Sequence, residues 1–312
     1  MIRKNPNQAP APGRRAVVTV GVSTVWTSPD APRACDAAAI ADIPRLQAWV
    51  GEMTREERKD LHGRTLTQVL FGDVVRVDEV ADGWARIVAI EQAAPALDPR
   101  GYPGWLPAAH IVPDDEDEQP AEGQYIVDAM FSALYERPEA SSRAMDIVLG
   151  TRLTVLGQAR ERFAAVAAPG WPVPLWADLA DLAPATAGPA ATARDLLPVA
   201  LRLQGVPYVW GGVSPYGIDC SGLVYLAHRR LNAIVPRDAG DQADASVPVQ
   251  QGEQAPGHLC FFQDQEARID HVGLLQGPGQ LVHASGGAGQ VRQEQIQGQL
   301  ARRLAATHRT LP

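Results

Sequence analysis

The sequence predicts an α+β protein in which two small β-barrels precede a domain of helices followed by antiparallel strands. Three observations support this fold class: a repeated strand pattern in the first half, an Ala- and Pro-rich segment at residues 182–197, and a change from helical to strand patterns after about residue 192. The chain has 312 residues, which is enough for two or three hydrophobic cores. We expect domains at residues 1–113, 114–185 and 190–312.

The two predicted barrels share one pattern. Residues 70–77 read LFGDVVRV and residues 148–155 read VLGTRLTV: an apolar pair, a Gly, a polar residue and then alternating Val or Leu. Alternation with period two indicates half-buried strands, and a preceding Gly marks a turn or bulge. The acidic, Pro-containing segment 113–123 between the two patterns is predicted to be a solvated linker or surface loop.

One segment of the first barrel has a different pattern. In residues 35–65, apolar Leu46, Trp49, Val50 and Met53 alternate with a face rich in Glu and Arg, which predicts a helical insertion. The third domain begins with helical patterns, ATARDLLPVALRLQGV and CSGLVYLAHRRL, and continues with the short apolar strands GHLCFF, HVGLLQ and QLVHAS. This order is typical of an α+β domain.

Composition restricts the function classes. Hydrophobic residues make up 46% of the chain and charged residues 21%, as in ordinary globular proteins, and the net charge of -8 does not favour nucleic acid or anionic membranes as partners. Three cysteines are too few for a disulfide framework and fit a reducing compartment. The N-terminal residues lack an uninterrupted apolar stretch, so we expect no signal peptide and a cytoplasmic location.

Cys220 is the residue that most needs an explanation, because it could be a buried structural thiol, a disulfide partner or a nucleophile. It lies between Asp219 and Ser221 at the start of a predicted helix, where backbone N–H groups and the helix dipole favour an anion. Such a position, with a histidine nearby, can lower a thiol pKa to roughly 3.5–7.5. We therefore predict a nucleophile with a large thiolate fraction at neutral pH.

The base that such a nucleophile needs must come from elsewhere in the chain. His271 begins one predicted strand and His283 ends the next, so antiparallel pairing would place the two imidazoles side by side. One could act as base and the other could orient it. Cys220, His271 and His283 are also residue types that bind zinc, but no C-x-x-C, H-x-x-x-H or H-E-x-x-H spacing occurs, and we expect no metal and no cofactor.

The blocks PYVWGG, IDCSGLVYLA, VPRDAGDQ, GHLCFF, DHVGLLQ and LVHASGG, in this order, resemble the NlpC/P60 family of cell-wall cysteine peptidases over about residues 192–312. The resemblance implies a papain-like catalytic domain. The two preceding barrels resemble bacterial SH3 domains, and GYPGWLP with the helical insertion is similar to the three-domain members that act as γ-D-glutamyl-L-diamino acid endopeptidases.

The resemblance also implies residue roles. Cys220 would attack the amide carbonyl, His271 would be the base, and His283 would hold the imidazole of His271. The substrate-binding candidates are Tyr208 near the oxyanion, Trp210 in the pocket, Asp219 and Ser221 at the N-terminal L-Ala, Tyr102 as the residue that closes the site, and Asp238 of the VPRDAGDQ block.

The function expected from this resemblance is hydrolysis of the bond after γ-D-Glu in peptidoglycan stem peptides with a free N-terminal L-Ala, during recycling of wall peptides. A small peptide would then be the partner, with Lys or diaminopimelate as the diamino acid. Two alternatives stay open: an exported hydrolase acting on polymeric peptidoglycan, and an inactive peptide-binding protein.

Overall fold

The computed structural model describes residues 9–114, 123–160, 162–185 and 191–312. The predicted linker 113–123 therefore lies mostly outside the described residues. The strands are β1 (Arg15–Val18), β2 (Val22–Trp26), β3 (Thr65–Leu70), β4 (Val74–Ala81), β5 (Trp84–Ala89), β6 (Tyr102–Pro107), β7 (Ile111–Pro113), β8 (Gln124–Val127), β9 (Phe131–Tyr135), β10 (Arg143–Val148), β11 (Arg152–Arg160), β12 (Phe163–Val166), β13 (Leu175–Asp178), β14 (Leu182–Pro184), β15 (Val213–Ser214), β16 (Gly217–Ile218), β17 (Val247–Pro248), β18 (Leu259–Gln263), β19 (Ile269–Gly277), β20 (Gln280–Ser285), β21 (Gln290–Gln295) and β22 (Leu304–Arg309). The helices are α1 (Ala37–Ile40), α2 (Leu46–Glu52), α3 (Arg55–Lys59), α4 (Leu196–Arg202), α5 (Cys220–Arg230), α6 (Ala239–Asp244) and α7 (Gly298–Arg303).

The first two β units are built alike. Strands β1–β7 form a 7-stranded sheet in the order β3-β2-β6-β5-β4-β1-β7, and strands β8–β14 form a 7-stranded sheet in the order β10-β9-β13-β12-β11-β8-β14. The second order is the first with every strand number raised by seven. The repeated LFGD and VLGT stretches occupy equivalent turns, and Gly72 and Gly150 both have positive φ there, where Gly is favoured because it has no Cβ.

Three short helices, α1, α2 and α3, lie between β2 and β3, in the segment where the sequence predicts an insertion. Its apolar residues Leu46, Trp49, Val50 and Met53 are buried in one cluster that also includes Val209 of the third domain. The insertion therefore contributes to a core that the first β unit shares with the third domain and, through Val148, with the second β unit, instead of projecting into solvent. Burial of large apolar side chains in this way supplies about 1.5–3 kcal/mol for each side chain.

The third domain packs helices on one face of an antiparallel sheet. The sheet has the order β17-β22-β18-β19-β20-β21, and α5 packs mainly on β19. The core between them contains Leu223 and Val224 of the helix and Val272, Leu274 and Val282 of the sheet. This packing sets the start of α5 against the strands that carry the two predicted histidines.

No helix within the described residues is both long enough and apolar enough to span a membrane.

Candidate active site

Cys220 begins helix α5, as the sequence predicts, and the residue is only 7% exposed. Asp219 caps the helix, since its Oδ1 accepts a hydrogen bond from the Gly222 N–H at 2.6 Å. Gly222 is required at this turn, because a Cβ there would lie 2.1 Å from the carbonyl oxygen of Gly212. The close approach of Gly222 to Gly212 fixes the position of the start of α5, where the thiol lies.

The two predicted histidines are hydrogen-bonded to each other. Strands β19 and β20 are antiparallel neighbours, and His271 Nε2 lies 2.7 Å from His283 Nδ1. The strands can approach closely at this point because residue 273 is Gly; a Cβ there would lie 2.8 Å from the Cβ of His283. The pairing of strands therefore produces the side-by-side imidazoles expected from the sequence.

Groups from several elements act on the Cys220 thiol. The backbone N–H of Val272, the residue after His271, and the N–H of Ser221 both act to lower the pKa of Cys220. Burial keeps the pKa of Tyr208 well above its usual value, and the nearby Cys220 acts in the same direction. Tyr208 therefore remains a proton donor beside the sulfur, which is where the resemblance predicts a tyrosine near the oxyanion.

The predicted low thiol pKa is wrong for the site without substrate. Burial raises the pKa of Cys220 to about 12, and the Asp219 charge acts in the same direction. Burial also lowers the pKa of His271 to about 3, with His283 acting in the same direction. The backbone N–H groups at the sulfur favour the thiolate, but removal from water outweighs them. Without substrate, these shifts leave both the thiol and the imidazole neutral at neutral pH.

Asp219 and Ser221 have structural partners instead of open binding positions. The two oxygens of Asp219 accept hydrogen bonds from the N–H groups of Gly211 and Gly222, from the Ser221 hydroxyl, and from both terminal nitrogens of Arg237. Ser221 Oγ in turn accepts from Arg237 at 2.9 Å. With five donors already present, the geometry favours Asp219 as a helix cap and counterion over Asp219 as the partner of a substrate ammonium.

Tyr102 and Asp238 meet across the domain boundary. The Tyr102 hydroxyl, from β6 of the first β unit, donates to Asp238 Oδ2 at 2.9 Å. Burial raises the pKa of Asp238, whereas the Arg237 charge and the Tyr102 hydroxyl act in the opposite direction. The Asp238 side chain is 42% exposed, compared with 9% for Asp219. Asp238 is therefore the carboxylate of this group that a ligand can reach.

Trp210 lies at the edge of the site and contacts the helical insertion. Its side chain is partly exposed, and its ring centroid lies 4.2 Å from that of His62. The Thr65 hydroxyl donates to the Trp210 carbonyl oxygen at 2.7 Å. The structure therefore brings all the predicted site residues to one region, with Tyr102 supplied by the first β unit.

Sequence reasoning missed two residues that contact the site. Arg237 is completely buried and also donates through Nε to the Thr67 hydroxyl at 2.9 Å. Glu294 Oε2 lies 3.1 Å from His283 Nε2. Arg237 directly precedes Asp238 in the sequence Pro-Arg-Asp, which could have drawn attention to it. Glu294 is found only through the register of β20 and β21.

Within the ranges that the structure describes, no group of three or more His, Cys, Asp and Glu side chains is arranged to hold a metal ion.

Comparisons with known proteins agree with one another. A family profile described as the NlpC/P60 family matches residues 205–309. A gamma-D-glutamyl-L-lysine dipeptidyl-peptidase of Bacillus subtilis (strain 168) is 31% identical over 271 residues, which cover 86% of this chain and 88% of that protein. A protein of the same name from Bacillus cereus (strain ATCC 10987 / NRS 248) is 26% identical over 282 residues, which cover 86% of this chain and 83% of that protein. The crystal structure of an NlpC/P60 family protein from Bacillus cereus ATCC 10987 has a TM-score of 0.89 and 26% identity, and the match covers 96% of this chain and 100% of that chain.

The similarity extends over most of the chain and includes the segment that carries the thiol and both histidines, so the molecule is a cysteine peptidase with a papain-like catalytic domain. The chain belongs to the NlpC/P60 family.

Proposed function

We propose that this peptidase hydrolyses the γ-D-glutamyl-L-diamino acid bond of peptidoglycan stem peptides that have a free N-terminal L-Ala. Support comes from the names of the two Bacillus relatives, which are both gamma-D-glutamyl-L-lysine dipeptidyl-peptidases. The observation that carries the proposal is the hydrogen bond between Tyr102 and Asp238. It places a reachable carboxylate and a side chain of the first β unit together at one end of the site.

In the proposed reaction, Cys220 attacks the γ-carbonyl carbon of D-Glu while its proton passes to His271. The tetrahedral oxyanion is stabilised by the Cys220 backbone N–H and the Tyr208 hydroxyl. His271 then gives the proton to the leaving amine of the diamino acid, and the C–N bond breaks to leave a thioester. Water, with His271 again as base, hydrolyses the thioester and releases the dipeptide L-Ala-D-Glu.

The Asp238 carboxylate explains why the site would require a substrate with a free amine. A substrate ammonium at Asp238 would form a charge-assisted hydrogen bond in a half-buried position, in addition to the Arg237 guanidinium 3.8 Å away, whereas an N-acyl group carries no charge for the carboxylate to bind. Burial and the nearby Asp238 charge keep the pKa of Tyr102 well above its usual value, so Tyr102 stays protonated and continues to orient the carboxylate.

The two N-terminal β units, which have the same strand order, are in this proposal SH3-like domains. The first of them closes the end of the substrate cleft through Tyr102. A site closed in this way suits short, freed peptides, which agrees with a role in recycling wall peptides in the cytoplasm.

The decisive experiment compares L-Ala-γ-D-Glu-L-Lys and its diaminopimelate counterpart with their N-acetylated forms, in wild type and in Asp238→Asn. We expect cleavage of the free-amine peptides only, and about a tenfold increase in KM for Asp238→Asn, since a hydrogen bond to a charged group is worth about 1.5–3 kcal/mol. Asp42→Asn, an exposed carboxylate of the insertion, is the matched control and should behave as wild type.

Equal cleavage of the acetylated peptides would contradict the requirement for a free amine. Release of peptides from purified sacculi would then favour an exported wall hydrolase. Failure to cleave any peptide would favour a peptide-binding protein.

A further inference from the structure

The helical insertion forms one wall of a cavity beside the nucleophile. The cavity has a volume of about 290 Å³ and is lined by Arg55, Arg58 and Lys59 of α3, by Tyr208 and Trp210, and by Gly286 and Gly289 of the turn that follows β20. Tyr208, the proposed hydroxyl donor to the oxyanion, lines the cavity, which therefore adjoins the proposed reaction centre. Sequence patterns predicted the insertion but assigned it no role.

The wall of the cavity is held in position by contacts from both sides. Arg55 donates to the Gly287 carbonyl oxygen, and His62 packs edge-on against the Trp210 ring. Val50 of α2 is buried in the same cluster as Val209. The short helix α3 is therefore fixed against the catalytic domain although it buries no residue of its own.

The charges in the cavity are of one sign. Residues at spacing i, i+3 and i+4 share a helix face, so Arg55, Arg58 and Lys59 all face the cavity, and its lining contains no carboxylate among the described residues. Lys59 pairs with Glu56 at 2.8 Å, but neither Arg55 nor Arg58 forms an ion pair with any part of the chain that the structure describes. In a chain of net charge -8, this is a local concentration of positive charge.

We infer that this cationic cavity binds the free carboxylate of the diamino acid on the leaving side of the scissile bond. The inference rests on the proposed function. In that proposal the substrate ammonium binds at Asp238, and neither Asp238 nor Tyr102 is among the described residues that line the cavity. The cavity is therefore separate from the group that would hold the ammonium, and in our inference it takes the other end of the peptide, beyond the bond that Cys220 cleaves.

The cavity therefore selects a substrate class: short stem peptides that end in a carboxylate close to the diamino acid. Guanidinium groups suit this role because they bind carboxylates through paired N–H donors. Because the cavity is open to solvent, its contribution decreases as salt screens the charges. A stem peptide amidated at this position, or extended by cross-linking, loses the interaction.

The test is a comparison of L-Ala-γ-D-Glu-L-Lys with its C-terminal amide, using wild type, Arg58→Gln and the double variant Arg55→Gln/Lys59→Gln. For wild type we expect kcat/KM to be about tenfold higher for the acid, mainly through KM, as one charge-assisted hydrogen bond allows. Each variant should lose most of this preference by losing activity on the acid while changing less than about twofold on the amide. Arg45→Gln, an exposed arginine of the insertion that does not line the cavity, should keep the wild-type preference.

Two results would overturn the inference while leaving the proposed function intact. The first is equal cleavage of the acid and the amide by wild type. The second is an equal loss of kcat/KM on both peptides in the variants, which would mean that α3 has only a structural role. A third peptide, in which the α-carboxylate of D-Glu is amidated, tests which of the two substrate carboxylates the cavity binds. If its cleavage alone becomes insensitive to the arginine variants, the cavity binds the D-Glu carboxylate and the assignment to the leaving side is wrong. If wild type cleaves none of the peptides, the proposed function itself fails.

A second observation, independent of the substrate, concerns the row of hydrogen bonds behind the base. His271 Nε2 lies 2.7 Å from His283 Nδ1, and His283 Nε2 lies 3.1 Å from Glu294 Oε2. Glu294 is diagonal to His283 across the β20–β21 pair, where the register places Leu281 opposite Glu294 and His283 opposite Arg292.

We propose that Glu294 is a positioning residue that sets the tautomers of both histidines. An ionised carboxylate only accepts hydrogen bonds, so His283 carries its proton on Nε2 and its Nδ1 must accept. His271 then donates through Nε2–H, which leaves its Nδ1 without a proton and free to receive the proton of Cys220. With the opposite tautomer of His283, His271 would carry its proton on Nδ1 and could not act as a base.

The test is a double-mutant cycle between Glu294→Ala and His283→Asn. An asparagine oxygen accepts from His271 Nε2–H without any choice of tautomer, so Glu294 should matter only while His283 is present. In the wild-type background we expect kcat to fall about 10-fold to 100-fold with little change in KM, comparable to the loss of other orienting partners. In the His283→Asn background the same change should have less than about a twofold effect.

Glu266→Gln, an exposed glutamate paired with Arg268, is the control for loss of one negative charge. The proposal is refuted if Glu294→Ala lowers kcat by the same factor in both backgrounds, or if it has no effect in either. Melting temperatures separate a loss of kcat from a loss of folding.

Discussion

Replacing Cys220 with alanine is expected to lower kcat/KM by about 10⁴-fold or more, because no other group in the proposed reaction can form the thioester. The fold should persist, since alanine fits the same buried position at the start of α5 and Asp219 still caps the helix. The measurement is kcat/KM for the free-amine tripeptide together with the melting temperature. A small stability loss is expected from the cavity that the missing sulfur leaves.

Cys260→Ala is the matched control for this substitution. Cys260 is also buried, at 1% exposure, but it lies in β18, where its sulfur is 3.9 Å from the Thr307 hydroxyl. Its replacement should cost comparable stability and leave kcat/KM unchanged within about twofold. Equal losses of activity in the two variants would mean that Cys220 acts through packing and is not the nucleophile.

The largest effect on stability is expected from Arg237→Met. Arg237 is completely buried, and its terminal nitrogens lie 2.7 Å and 3.1 Å from the two oxygens of Asp219. Its Nε also bonds to Thr67 of the first β unit, so one side chain connects the start of α5 with the neighbouring domain. Removing it leaves a buried carboxylate without a counterion, which costs about 3–5 kcal/mol. The free energy of unfolding, from denaturant titration, is the quantity to measure.

Two further variants test whether the unpaired buried carboxylate causes this loss of stability. Asp219→Asn/Arg237→Met removes both charges and should recover part of the lost stability, although the hydrogen bonds of the cap are weakened. Arg162→Met breaks an ion pair with Asp178 in which the arginine is 62% exposed, and it should change the free energy of unfolding by less than about 1 kcal/mol. If Arg237→Met is as stable as wild type, the buried pair is not what holds the start of α5.

The elements that local pattern could predict are those with strong periodicity. The β19 and β20 strands, the helix that begins at Cys220 and the insertion with buried Trp49 were all predicted from apolar spacing. Strands β21 and β22 were not predicted, because β21 reads QVRQEQ with only Val291 fully buried, and a polar edge strand has little apolar alternation. Their existence depends on pairing with β20 and β18.

By itself the sequence determined the groups of the proposed site and their order: a cysteine at a helix start and two histidines on consecutive strands. It could do so because residue type and local period are properties of neighbouring residues. Only the tertiary structure decided the state and the surroundings of those groups. The high pKa of the thiol follows from burial, which a sequence does not show. Arg237 with Asp219, Tyr102 with Asp238, and Glu294 with His283 join residues that are 18, 136 and 11 positions apart in the chain, and these contacts exist only because the domains and strands pack in one particular arrangement.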